Sequence, residues 1–152
     1  MKKHFLFIVL ICAMFSFCSC SPEADPADML SDFILLYGAE GTIYSSDARL
    51  SEEGFISDEL FEKIFVFSGE RPNSFAIFLN SHSHKGSECG VFVCRDDEEK
   101  ERVIEMCKGR ATLVSSDASY LLICSGNTVF YSTMSDCKNV ERLWNRIIVS
   151  YS

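Results

Sequence analysis

Apolar positions recur at helical spacing in four stretches of this chain and run together at strand length in four others. The first helical stretch opens at Asp25, a side chain suited to cap it, with Pro26 at the first helical position and Asp28 in the first turn. Met29, Phe33, Leu36 and Tyr37 then share one face, Leu30 and Ile34 lie beside them, and Gly38 is a fitting stop. Gly41 to Glu53 is polar and reads as loop, with a short strand at Thr42 to Tyr44 as the alternative. Ser57 caps a second, shorter helix ending near Phe65, with Leu60, Phe61, Ile64 and Phe65 as its apolar face, and Gly69 and Pro72 break the chain after it.

From Ser74 the texture changes. Ser74 to Leu79 and Gly90 to Cys94 are apolar on both faces and flank the polar turn Asn80 to Ser87, which predicts a hairpin. Asp96 opens the next helix with Glu99 at the capping-box position; Val103, Ile104, Met106 and Cys107 bury it, and Gly109 is read as its stop. A second hairpin pairs Ser119 to Cys124 with Thr128 to Thr133 across Ser125-Gly126-Asn127. The last helix starts at an Asp136 cap and carries the clearest stripe in the chain, Val140, Leu143, Trp144, Ile147 and Ile148.

Strand, strand, helix therefore occurs twice, over 74–109 and 119–149. The expectation is an α+β fold: a mainly antiparallel four-stranded sheet built from two strand-strand-helix units, plus two N-terminal helices, all in one domain over 26–152. Strands apolar on both faces need cover on both. The helices of the repeated units are expected over one face and the two N-terminal helices over part of the other.

The first twenty residues change the picture. Lys2 and Lys3 precede a fourteen-residue run, Phe5 to Cys18, apolar but for Ser16. That is shorter than the roughly 20 residues a helix needs to span a bilayer, so it reads as an export signal peptide over 1–20 and not as a permanent anchor. Phe17-Cys18-Ser19-Cys20 fits a lipobox, with Cys20 as the palmitate-type lipid attachment site that receives diacylglycerol through its sulfur. Two or three acyl chains hold a protein to a membrane far more firmly than one. The linker 21–25, at about 3.3 Å per residue, would keep the domain within roughly 20 Å of the bilayer. Cleavage near Ser19 to Ala24 and free secretion is the alternative.

Charge and cysteine count narrow the partners. Formal net charge is −8, and removal of a leader that holds Lys2 and Lys3 but no acid takes it to −10. Such a chain repels phosphates, so no nucleic acid partner is expected. Five cysteines remain after the signal, Cys89, Cys94, Cys107, Cys124 and Cys137, an odd number without a CxxC pair. Each falls in or beside an apolar run, where free cysteine acts as a small buried hydrophobe; one or two bridges are the alternative, with a pattern the spacings do not fix.

The leader and lipobox, the N-terminal helix after a short linker, Glu88-Cys89-Gly90-Val91-Phe92, a helix ending near Arg110, and the strand pair around Ser125-Gly126-Asn127-Thr128-Val129 together resemble the uncharacterised bacterial lipoprotein family known as domain of unknown function 4358. The resemblance covers roughly Pro26 to Ile148. It implies an envelope location and a fold, and no activity.

Chemistry-bearing residues cluster once. His82-Ser83-His84, with Glu88 and Cys89 nearby, has the residue types of a zinc or copper site or of a base-activated thiol, but lacks a second anchored pair or an oxyanion donor. There is no GxSxG. Arg110 is expected to pair with Asp117 or to bind an anion, and Tyr44, Tyr120, Tyr131 and Trp144 offer a ligand platform, with Trp144 expected in the core. The expectation is a membrane-anchored extracytoplasmic lipoprotein, a non-enzymatic binding or interaction module at the cell envelope, with no catalytic residues, metal or cofactor. Its partners would be the membrane, through the lipid, and an envelope protein or small ligand. The alternative is a small extracytoplasmic enzyme or metal-binding protein using the His82 to His84 turn.

Overall fold

The computed structural model describes residues 24–67, 69–80, 87–114 and 119–151. Among these residues four helices and five strands follow one another as α1 (Pro26–Tyr37), β1 (Gly41–Ser45), α2 (Asp58–Phe65), β2 (Ser74–Asn80), β3 (Glu88–Val93), α3 (Asp97–Val114), β4 (Leu121–Ser125), β5 (Thr128–Ser132) and α4 (Cys137–Ser150). No described helix is long and apolar enough to cross a membrane.

The sheet has five strands in the order β1-β2-β3-β5-β4, all neighbours antiparallel, and not four. The extra strand is β1, which the sequence presents as loop because only Ile43 and Tyr44 in it are apolar. It pairs along β2 from Gly41 opposite Asn80 to Ser45 opposite Ala76. A Cβ on Gly41 would stand 2.3 Å from the Leu79 carbonyl and 2.7 Å from the Phe78 ring, so this close approach requires glycine. A short edge strand with polar ends offers little to an incoming strand, which is also why it leaves so weak a mark on the sequence.

Both expected hairpins form, β2 with β3 and β4 with β5, and they join through β3 and β5. Because β5 lies between them, β3 and β4 run in the same direction, and α3 is the crossover that connects them.

Helices cover both faces, but not in the expected grouping. One face carries α1 and α4: Met29, Leu30, Phe33 and Ile34 meet Val140, Leu143, Trp144 and Ile147 over Ala76, Phe78, Val91 and Phe130. The other carries α2 and α3: Phe61 and Phe65 meet Val103, Met106 and Cys107 over Phe75, Ile77, Phe92 and Val129. Each face thus takes one N-terminal helix and one helix from a strand-strand-helix unit. The reason is steric: α3 fills the space over β5 on one side, and α4, which follows β5, covers Val91 and Phe130 on the other. Trp144 stacks on Phe130 with centroids 4.1 Å apart and planes 8° from parallel, and Phe33 meets both rings edge-on. Leu36 and Leu60, expected on buried faces, are more than two-fifths exposed.

Caps follow the sequence closely. Asp25, Ser57 and Asp136 accept from the backbone N–H groups of Ala27, Leu60 and Asn139, and Asp96 accepts from Glu99. Helix α3 does not stop at Gly109 but continues to Val114. A glycine inside a helix costs only about 1 kcal/mol, and burial of Ala111 together with the ion pair of Arg110 outweighs it.

The polarity of the sheet orients the chain. Tyr37, ending α1, donates its hydroxyl to Ser135 O just before α4, while Tyr151, after α4, donates to Asp32 in α1, so the two helices run antiparallel. Burial, then the Asp32 bond, pushes the Tyr151 hydroxyl pKa up to about 12. The Asp28 and Asp25 carboxylates, in the first turn and at the cap of α1, act on the same hydroxyl, which puts both chain ends of the described domain at one pole. The start of β3, the end of β5 and the start of α4 define the opposite pole.

Candidate functional site

Glu88 opens β3 as a lone charge in an otherwise apolar strand, and it is only 4 % exposed. A buried carboxylate needs a partner, and α3 supplies it. Arg110 Nε donates to Glu88 Oε1 at 2.7 Å and Arg110 Nη2 to Oε2 at 2.6 Å, a bidentate fork. The third arm, Nη1, donates to the carbonyl of Ile64 in α2 at 2.8 Å. Tyr131 of β5 donates its hydroxyl to Glu88 Oε1. One guanidinium therefore ties α2 and α3 to β3, the Glu88 carboxylate extends the tie to β5, and no buried side-chain polar atom among the described residues is left without a partner. With every arm used, this cluster is a clamp and not a binding site.

What the clamp holds is a groove. Where α2 ends against α3, an open cavity of about 460 Å³ lies between Phe65, Val66 and Phe67 on one wall and Met106 and Gly109 on the other. A second hollow continues from Val66 and Phe67 along α2 to Glu59 and Glu62. Volumes of this order fall in the range that receives a ligand or a few side chains. By holding Ile64 O, Arg110 sets the separation of the two walls.

Two residues of this groove contradict their local backbone. Val66 closes α2 in the left-handed conformation, φ 48° and ψ 45°, its N–H donating to Glu62 O. That position favours glycine; a side chain with a Cβ costs roughly 1–2 kcal/mol there, and a β-branched one is a marked outlier. Val66 is nevertheless 72 % exposed, so burial does not repay the strain. Gly109 is the converse, a glycine within α3 at a place where an added Cβ would meet nothing within 4 Å. An apolar side chain stands where the backbone asks for none, and none stands where the helix would prefer one. Phe67 completes the wall by lying across Gly69, where a Cβ would come within 2.5 Å of the ring.

The rim is acidic. Glu59, Glu62, Glu101 and Glu105 line it against Lys63 and Arg102. Lys63 is neutralised by Glu59 at 2.7 Å and Arg102 by Glu98 at 2.9 Å. Glu62 and Glu101 keep carboxylates without an ion pair or hydrogen bond among the described residues.

Of the residues singled out in the sequence, Cys20, His82, Ser83, His84 and Asp117 lie outside the described residues. Glu88 and Cys89, grouped there as one potential ligand set, point to opposite faces of the sheet: Glu88 to Arg110, Cys89 into the cluster under α1 and α4. Among the described residues no group of three metal-ligating side chains converges. All five cysteines are free, with Cys89, Cys94 and Cys107 buried, Cys137 half-buried and Cys124 exposed. Burial, aided by Glu88, pushes the Cys89 thiol well up; burial does the same to Cys107, and burial with Glu99 raises Cys94 to about 11. Thiols so shifted are not nucleophiles near neutral pH. Tyr131 belongs to the clamp, not to a platform, and Arg110 pairs with Glu88 and not with a neighbour in sequence.

The groove was missed from sequence because left-handed Val66 leaves no compositional trace. The clamp had a signal: an acid opening an apolar strand, and an arginine following a glycine that need not end a helix. No family model, curated protein or solved structure matches the chain.

Proposed function

We propose that this chain is a lipid-anchored extracytoplasmic lipoprotein that works as a non-enzymatic binding module at the cell envelope. The observation that carries the binding reading is the α2–α3 groove, where Val66 and Gly109 each forgo local stability to keep an apolar, open surface. Natural sequences break local rules of this kind at functional positions. The anchoring reading rests on Lys2-Lys3, the run from Phe5 to Cys18, and Cys20. The pole geometry is consistent with it: the chain leaves the domain at Ala24 beneath α1, whereas the groove opens on the opposite layer, toward the pole of Glu88. The thiols and the clamp favour no reaction; the His82 to His84 alternative gains nothing from Glu88, which is committed to Arg110, or from Cys89, which is buried in the cluster under α1 and α4.

The test of anchoring is the intact mass of the protein recovered from membranes of a bacterial host. A chain beginning at Cys20 with added diacylglycerol, and loss of that product in Cys20→Ser, is the expected result. A soluble product starting near Ala24 with no lipid would refute it.

A further inference from the structure

We infer that the α2–α3 groove docks a basic segment of a partner protein, which inserts apolar side chains against Val66, Phe67 and Met106 while its lysines or arginines meet Glu62 and Glu101. The inference deepens, and rests on, the reading of the chain as a binding module. The walls are apolar and the cavity is open, so an apolar side chain gains from entering it. The two rim cations are already neutralised by Glu59 and Glu98, whereas Glu62 and Glu101 are bare, so the field at the mouth selects cations.

That charge also decides among occupants. A second copy would bring formal charge −8 against the same acidic rim, and an anionic lipid headgroup would meet the same repulsion. The groove lies on the layer opposite α1 and toward the pole away from Ala24, so a partner reaches it without passing between the domain and its point of tether. An amphipathic basic helix, laid along the hollow that runs from Gly109 past Val66 to Glu59, matches both the apolar floor and the acidic margin.

The test uses residues 21–152, which hold every described element, so lipid attachment plays no part and a failure here leaves the anchoring result untouched. The probe is a fluorescein-labelled synthetic helix of about fourteen residues with leucine at helical spacing and lysine elsewhere, followed by fluorescence anisotropy. Two comparison peptides replace its lysines by glutamate or its leucines by alanine. The expected result is binding by the lysine–leucine peptide at least about tenfold tighter than by either comparison peptide, weakening with added salt. Val66→Gly removes the wall and Gly109→Met fills the floor; each also relieves a local backbone cost, so both variants fold, as thermal melts will verify. Each should weaken binding about tenfold or more, as should Glu62→Lys with Glu101→Lys, while the matched reversal Glu53→Lys with Glu141→Lys leaves it within about threefold.

Equal binding of the three peptides overturns the inference. So does unchanged binding by folded Val66→Gly and Gly109→Met, and so does concentration-dependent dimerisation that those two variants abolish.

Discussion

Replacing Arg110 by methionine tests whether one side chain holds the α2–α3 layer to the sheet. The substitution keeps the aliphatic stem and removes a guanidinium whose side chain is 19 % exposed, leaving the Glu88 carboxylate, 5 % exposed, facing Tyr131 alone. It also strips the Ile64 carbonyl of its donor. Removing one partner of a buried pair costs roughly 3–5 kcal/mol, because an uncompensated charge stays behind. At about 4 °C per kcal/mol for a domain of this size, Tm should fall by roughly 12–20 °C. The diagnostic variant is the triple change Glu88→Leu, Arg110→Met and Tyr131→Phe, which removes the charge, its counter-ion and the hydroxyl together. An apolar replacement of the whole cluster should cost less than the single change, apart from the unpaired Ile64 carbonyl. Urea titrations of wild type, singles and triple give the cycle. A loss below about 1 kcal/mol in Arg110→Met, or a triple-variant loss equal to the sum of the singles, would show that the cluster is not an interdependent unit.

Three further outcomes follow from the same structure. Gly109→Ala should stabilise by roughly 0.5–1 kcal/mol and Val66→Gly by about 1 kcal/mol, read as a rise in urea midpoint at constant slope; a loss in either would mean that the side chain, and not the backbone, governs that site. Burial opposes the charge on Glu99, but the Arg95 backbone N–H, its guanidinium and the Asn73 backbone N–H outweigh it and hold the carboxyl below the usual range. Its stabilisation is therefore complete above about pH 4.3, the ordinary glutamate value in the unfolded chain, and disappears as pH falls through the lower folded value. Glu99→Gln should flatten the loss of stability that sets in as pH falls below the ordinary glutamate value of about 4.3, and parallel curves for variant and wild type would contradict this. Alkylation by iodoacetamide at about pH 8, read by mass, should modify Cys124 first and Cys137 more slowly. Cys89, Cys94 and Cys107 should react only in denaturant; rapid native labelling of Cys107 would contradict its burial.

Periodicity made α1, α2 and α4 legible, because in each an apolar stripe begins at a polar cap, Asp25, Ser57 or Asp136. It failed where the deciding forces act at a distance. Helix α3 was cut short at Gly109 because its next turn is held by Glu88, an ion-pair partner 22 residues upstream. Strand β1 contains too few apolar residues to announce itself, and its pairing depends on the absence of a Cβ at Gly41. In β3 all six positions are buried, so alternation carries no label for which face each helix covers. Of the site, the sequence supplied the chemical types but not the meeting places: Glu88 was visible as an oddity, Arg110 was assigned to a neighbour, and Val66 looked like any exposed aliphatic.

The sheet is completed from the inside. Of the described strands β5 is the last to be synthesised, yet it lies between β3 and β4, so the earlier strands wait with two unsatisfied borders facing each other across a gap. A nascent chain halted before Thr128 would present Val91 and Phe92 on a bare, apolar margin, the kind of template that recruits foreign strands. A stop codon placed anywhere between Ser125 and Thr128 should therefore yield inclusion bodies or protease substrates in place of a shortened domain, because it leaves β3 and β4 made and the strand that joins them missing.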